Sequence, residues 1–221
     1  MIIDLHVHTR RHSGCSSIEP LDLIGRAVEM GLEGVALTEH GILWKEENLF
    51  PLQEEADKRG LTILAGEEVT CFSNSRKQDF LIFGLKRSLG SHSSPSELIR
   101  RVHDEGGIVI AAHPFKPSRH GIGYHGTGED LYGLDVDAIE LYHPDHTETG
   151  RKNAREAAKA MGIPMTGGSD AHELDRVGIM STRFFHRIAT AEELVREIRA
   201  GRIEPLQGRP IRARSTSRQD G

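Results

Sequence analysis

His6 and His8 stand two residues apart at the end of a short apolar run, Ile2–Val7. In an extended chain, side chains at i and i+2 leave the same face, with Cα atoms about 7 Å apart. That spacing lets two imidazoles chelate one cation, although the pair alone describes two partly buried strand histidines equally well. Further donors recur at one phase of the sequence, just past each apolar run: His40 after Gly34–Thr38, Glu67 and Glu68 after Leu61–Ala65, and His113 after Ile108–Ala112. His143 follows Val136–Leu141, and Asp170 and His172 follow Met165–Thr166. Imidazole and carboxylate together suit zinc, manganese or iron. The set exceeds what one tetrahedral ion uses, so it implies two or three divalent metal ions. Carboxylates could bridge ions spaced about 3.5–4 Å apart, as in two-metal hydrolases.

For these donors to meet, the elements between them must bring the run ends to one place. Apolar residues at helical spacing predict helices over Ile18–Met30, Asn48–Arg59, Pro95–Asp104, Thr147–Met161 and Ala191–Arg199, with Ser94 and Thr190 as caps. Strands are expected at Ile2–Val7, Gly34–Thr38, Leu61–Ala65, Ile108–Ala112, Val136–Leu141 and Met165–Thr166, with Gly178–Ser181 as a candidate last strand. Val69–Phe72 and Phe80–Gly84 read as a hairpin around Ser73–Arg76. Repeated βα units predict a mainly parallel sheet with right-handed crossovers, and their number in this length suits a small distorted barrel. The run ends of such a barrel share one rim, which hosts the active site. Of the thirteen histidines, the predicted helices carry only His103. The Gly- and His-rich stretch Pro114–Gly133 reads as a long loop of the kind that carries binding groups.

Composition narrows the class. The 221 residues fit a single α/β domain, here residues 1–206, and from Gln207 onward the apolar pattern gives way to Arg209, Arg212, Arg214 and Arg218, a basic and flexible tail over 207–221. No run approaches the roughly 20 apolar residues of a membrane span, and the start has no signal-peptide pattern. Two cysteines, Cys15 and Cys71, make no disulfide framework and suit the cytoplasm. A net charge of −5 argues against a nucleic-acid coat acting through bulk charge. There is no Gly-x-Ser-x-Gly elbow, P-loop or Gly-x-Gly-x-x-Gly turn, so covalent serine catalysis and nucleotide cradling by such loops are disfavoured.

The stretches Asp4-Leu-His6-Val-His8-Thr9, Thr38-Glu-His40, Gly66-Glu-Glu68, Ala112-His113-Pro114, Glu140-Leu-Tyr-His143 and Gly168-Ser-Asp170-Ala-His172 together resemble, in order, the motifs of the PHP (polymerase and histidinol phosphatase) domain. The resemblance implies a distorted (β/α)7 TIM-like barrel and a trinuclear centre that hydrolyses phosphoesters. It implies that His6, His8, Glu68 and Asp170 hold a first ion, that Glu68 bridges to a second with His113 and His143, and that His40 and His172 hold a third. Asp170, His113, His143 and His172 are then the expected catalytic residues. Many members place an aspartate shortly after the His-x-His pair; here the chain reads His12-Ser13-Gly14-Cys15, leaving His12 or Cys15 as substitutes or the third site weak. Asp4 is expected to orient a ligand histidine by hydrogen bond. Glu140 either contacts a ligand or closes an ion pair. Lys116, Arg119 and His146 are candidates for holding substrate phosphate. His92, His103, His120, His125 and His186 read as bland, and Trp44 and Phe50 as a staple for the helix after His40.

The expected reaction is hydrolysis of a phosphomonoester, on a small molecule or a nucleotide, by direct attack of a metal-activated hydroxide. An exonuclease or nucleoside-bisphosphate phosphatase acting on short RNA or DNA ends is the alternative. A non-catalytic metal-binding module and a metal-dependent C–N hydrolase are further rivals.

Overall fold

The computed structural model describes residues 1–73, 76–91, 94–118 and 123–208. Along the chain run β1 (Ile2–Val7), α1 (Pro20–Met30), β2 (Gly34–His40), α2 (Glu46–Asp57), β3 (Thr62–Ser73), β4 (Arg76–Phe83) and α3 (Pro95–Asp104). Then follow β5 (Ile108–Ala111), β6 (Ala138–Tyr142), α4 (Glu148–Met161), β7 (Met165–Gly167), β8 (Met180–Phe184), α5 (Ala191–Arg199) and β9 (Ile203–Gln207). Short 3-10 turns occupy Gly128–Gly133 and Leu174–Arg176.

The strands form one sheet in the order β7-β6-β5-β4-β3-β2-β1-β8-β9. β1–β2–β3 and β5–β6–β7 are parallel runs, while β4, β8 and β9 each run antiparallel to their neighbours. The sheet curls until β7 meets β8. There the Thr182 hydroxyl donates to the Gly167 carbonyl and accepts from the Gly167 N–H, both at 2.9 Å. A Cβ on Gly167 would lie 2.5 Å from the Ser181 carbonyl, so this approach requires glycine. The result is a nearly closed barrel, which leaves little open sheet edge.

Strand residues alternate between two environments. Ile3 and Leu5, Leu81 and Phe83, and Ile108 and Ile110 turn inward to one buried cluster. α5 adds Leu194, Val195 and Ile198 to it, near the start of β5, where Arg199 donates to the Gly107 carbonyl at 2.7 Å. The alternate residues face outward. Val35, Leu37 and Ile63 meet α1 and α2; Phe80, Val109 and Ile139 meet Leu98, Ile99 and Val102 of α3 and the alanines of α4. Among the described residues no helix is long and apolar enough to cross a membrane.

The architecture departs from a regular (β/α)7 barrel in ways that bear on the site. Leu61–Ala65 and Val69–Phe72 are not two strands but one twelve-residue strand, so Glu67 and Glu68 lie within β3 rather than beyond a strand end. The polar pair breaks the apolar pattern without breaking the ladder, because each carboxylate has buried work on its own face. Glu67 accepts from the Leu89 N–H at 2.8 Å, while Glu68 turns to the barrel mouth. β9 was not expected: Pro205 and Glu204 argue against a strand, yet proline is tolerated on a strand paired along one side only. Residues 209–221 lie outside the described residues. Phe83, 1 % exposed inside the barrel, provides the stability test: Phe83→Ala is expected to cost about 3–5 kcal/mol, read from the midpoint and slope of urea unfolding.

Candidate metal centre

The barrel mouth gathers its donors from almost every strand. His6 projects from β1, with His8 just beyond it, and His40 closes β2 directly opposite Glu68 of β3 in register. His113 follows β5, His143 follows β6, and Asp170 and His172 follow β7. Glu68 is the hub: its Oε2 lies 2.7 Å from His40 Nδ1 and 3.5 Å from His8 Nε2, and its Oε1 lies 3.1 Å from His113 Nε2 and 3.5 Å from His6 Nε2. Asp170 mirrors it, with Oδ1 3.3 Å from His6 Nε2 and 3.2 Å from His8 Nε2, and Oδ2 3.1 Å from His143 Nε2. Four overlapping groups of nitrogen and oxygen donors result: His6, His8 and Glu68; His6, His143 and Asp170; Glu68, Asp79 and His113; and His8, His40 and His172.

The donor set fits divalent cations. His6 Nε2 and His8 Nε2 are buried and aim at both carboxylates, yet neither makes a hydrogen bond, and His113 Nδ1 likewise lacks a partner. Burial opposes the charge on Glu68 and Asp170, but His6 and the other imidazoles outweigh it and hold both acids well below the ordinary carboxylate range. Burial also disfavours a charged His6, and there Asp170, Glu140 and Glu68 prevail and raise its pKa. Buried anions at this mouth therefore recruit positive charge. Burial lowers His8 and His143, which favours the neutral imidazole, the form that ligates metal.

A second layer fixes these side chains. Among the described residues, His113 (φ 29°) and Asp170 (φ 48°) are the non-glycine positions with left-handed backbone, a conformation stored where structure over-determines it. Glu140 does so for His113, accepting its N–H at 2.8 Å, and its other oxygen lies 3.1 Å from His6 Nδ1. Glu140 thus contacts one candidate donor's ring and another's backbone. Asp4 accepts three backbone N–H groups, of His6, Ser169 and Gly178, so its hydrogen bond to a histidine is to the main chain and not to the imidazole. Its task is to pin the turn before Asp170 to β1, and burial pushes its carboxyl up to about 6. Gly168 allows the contact, since a Cβ there would lie 2.5 Å from His6 Cβ and 2.6 Å from Glu140 Oε1.

The other sequence candidates separate. His12 packs edge-on against Trp44, ring centroids 4.9 Å apart, and joins none of the four donor groups. Cys15 joins none either, and desolvation raises its thiol pKa, away from the thiolate a metal would require. Ser13 stands by the gap, its Oγ 3.4 Å from His8 Nδ1 and donating to Glu39 at 2.5 Å. Trp44 is buried and donates to Glu39 at 3.0 Å, tying down the segment after β2, whereas Phe50 is exposed and staples nothing. His146 is unavailable to phosphate: it is buried, its Nδ1 donates to the Leu141 carbonyl at 3.0 Å and its Nε2 accepts from the Phe115 N–H at 3.3 Å. Lys116 reaches the mouth, with Nζ 2.8 Å from Asp145 and 3.5 Å from Asp170. Arg119, His120 and His92 lie outside the described residues.

Two residues of the mouth, Asp79 and Lys77, are not among the sequence candidates, and a third, His125, is among those expected to be bland. Asp79 of β4 is buried and completes a donor group with Glu68 and His113. Its signal was an acid leading directly into the apolar run Phe80–Phe83, where strands disfavour aspartate. Lys77 Nζ and His125 Nε2 lie 3.3 and 3.5 Å from Asp79 Oδ2, so His125 belongs to the pocket wall rather than the bland surface.

Two measurements test this layer. Glu140→Gln leaves one oxygen where two N–H groups converge, so metal affinity in a chelator competition is expected to fall about tenfold or more. Burial pushes His146 down to about 4, against about 6.5 in an unfolded chain. Between those values only the unfolded chain takes up the proton, so this group's contribution erodes as pH falls through that window and is constant below it. The stability gap between the native chain and His146→Gln should therefore narrow by on the order of 2 kcal/mol from about pH 8 to about pH 5, followed by urea unfolding.

Comparison with known proteins agrees with the geometry. An uncharacterised protein of Methanocaldococcus jannaschii is 25% identical over 158 residues, covering 67% of this chain and 85% of the relative. A phosphoribosyl 1,2-cyclic phosphate 1,2-diphosphodiesterase of Eggerthella lenta is 32% identical over 76 residues, 34% of this chain and 27% of the relative. The crystal structure of a candidate metal-dependent phosphoesterase from Bifidobacterium adolescentis superposes with a TM-score of 0.65 at 18% identity, covering 90% of this chain and 96% of that one. The PHP-associated profile matches residues 149–203, which include Asp170 and His172. The PHP domain profile matches residues 4–120, more than half of the sequence and every donor from His6 to His113, and the chain belongs to the PHP domain family.

Proposed function

We propose that the protein is a metal-dependent hydrolase of phosphoester bonds that acts on a small phosphomonoester. The observation that carries this reading is the sharing of His6, His8 and Glu68 among overlapping donor groups, which suits ions held side by side. His6, His8, His40, Glu68, Asp79, His113, His143, Asp170 and His172 are the residues that would hold them. Bound zinc, manganese or iron lends positive charge to phosphate oxygens and acidifies water.

The protein's own groups supply the rest. A cavity of about 440 Å³ opens over the donors, lined by His40, Asp79, Lys77, Lys116, His125 and His172 among others, a volume suited to a small ligand. Lys116 is placed to bind a non-bridging phosphate oxygen; burial disfavours its charge, but Asp170 and Asp145 raise its pKa and keep it cationic. Asp145 holds the ammonium beside Asp170, at the inner side of the cavity. His125 Nε2, at the cavity wall, is placed to give a proton to the departing oxygen. The phosphoester chemistry in the names of the Eggerthella and Bifidobacterium proteins supports the same reaction class.

The test combines elemental analysis with a panel of histidinol phosphate, a nucleoside bisphosphate and an end-labelled pentanucleotide. The native protein is expected to contain divalent metal and to hydrolyse a monoester, with chelation abolishing turnover and added metal restoring it. Asp170→Ala and His113→Ala should lose bound metal and turnover together. Full turnover in a metal-depleted Asp170→Ala protein would defeat the proposal, and cleavage of the pentanucleotide alone would replace it with a nuclease.

A further inference from the structure

β2 ends at His40 opposite Glu68, and β5 ends at Ala111 opposite Phe80, so the β3–β4 hairpin continues past both neighbours as an arm beside the mouth. Its two faces differ in kind. Cys71 and Gln78, directly paired, are buried against the body: Cys71 packs with Val69 and Phe80, and Gln78 donates to Asp130 at 2.9 Å. Side chains alternate along a strand, and directly paired residues share a face. The pairs Thr70–Asp79 and Phe72–Lys77 therefore look the other way, on the side of Glu68. Lys77 and Asp79 line the cavity, and Thr70 Oγ1 donates to Asp79 at 2.6 Å. Phe72 stands opposite Lys77 on this face and is 61 % exposed.

A solitary exposed phenylalanine is ordinary; one paired with a cavity-lining lysine, on the face that carries two of the candidate metal ligands, has a place in the site. From Asp79 to Lys77 the strand advances about 7 Å, a gap that a pentose between phosphate and ring can bridge. A phosphate seated at the donor cluster would leave the rest of the molecule extending along this face. There an aromatic ring offers a stacking surface, and Lys77 offers positive charge at its edge.

We propose that Phe72 determines substrate specificity by stacking on a flat unsaturated ring in the leaving group, with Lys77 steering the anionic ester onto the arm. This inference rests on the phosphoester reading of the metal centre. The test compares kcat/KM for adenosine 5′-monophosphate and for glycerol phosphate, whose leaving group has no ring, in the metal-loaded native protein, Phe72→Ala and Phe72→Trp. The native protein should prefer the ring-bearing ester. Phe72→Ala should lower that preference about tenfold, and Phe72→Trp should retain it. A direct readout is the affinity of the metal-loaded proteins for adenosine, a ring without phosphate, which should weaken in Phe72→Ala alone. Native protein that cleaves both esters with the same efficiency, or a preference unchanged in Phe72→Ala, overturns the assignment of Phe72 and leaves the phosphoester reading standing. Native protein that cleaves no phosphoester overturns both.

Discussion

The constraint on which the mouth of this barrel depends is the burial of Glu68 and Asp170 among imidazoles. An isolated buried carboxylate is costly and ordinarily protonates. Here both are held in their ionised form, each surrounded by three or four imidazole nitrogens within 3.5 Å. Such a cluster is stable only while its geometry is enforced from outside and its charge is compensated from within. The first requirement explains the inert-looking polar residues around it; the second explains why cations fit it.

Enforcement comes from two fully buried carboxylates. Asp4 and Glu140 between them accept four backbone N–H groups and face one imidazole, tying β1, β5 and the turns after β7 together. The left-handed backbone at His113 and Asp170 aims each side chain inward from a tight turn, which a regular strand end would not do. Gly168 is the steric complement, since only a residue without Cβ lets the β7 turn lie against His6 and Glu140. Fold and site are therefore one construction: the same closure that brings β7 to β8 brings Asp170 to His6.

Much of this was legible in the sequence because βα repetition places run ends on one rim, and His6, His8, His40, His113, His143, Asp170 and His172 all sit at that phase. Glu68 was legible as a donor but not in its place, because a strand interrupted by two acids reads as a strand end. Asp79 was hidden for a related reason. Its neighbourhood depends on the register of an antiparallel hairpin, Thr70 opposite Asp79, and register is a tertiary fact that one strand's pattern does not encode. His146 shows the converse error. It is a candidate for holding phosphate in the sequence, but burial and two backbone partners make it a brace between β6 and the segment after His113. Asp4, expected to hydrogen-bond a histidine, contacts the His6 main chain, and a lone aspartate at a strand start gives no hint of the Ser169 and Gly178 N–H groups that also converge on it.

The stretch His12-Ser13-Gly14-Cys15, which holds no acid, raises a question of charge rather than of space. His8 lies between His40 and His172, ring centroids 4.2 and 4.4 Å away, so among the described residues this donor group has three imidazoles and no acid of its own. Neutral donors do not offset the charge of a divalent cation, whereas the groups containing Glu68 or Asp170 do. A cation at the His8, His40 and His172 group would draw its compensating charge from Glu68, whose Oε2 is 2.7 Å from His40, and from Asp170, whose Oδ1 is 3.6 Å from His172 Nδ1. Both acids already belong to the other groups. A cation at this group would accordingly be held less tightly than one at a group that contains Glu68 or Asp170. The chain around Ser13 thus leaves this donor group dependent for charge on Glu68 and Asp170.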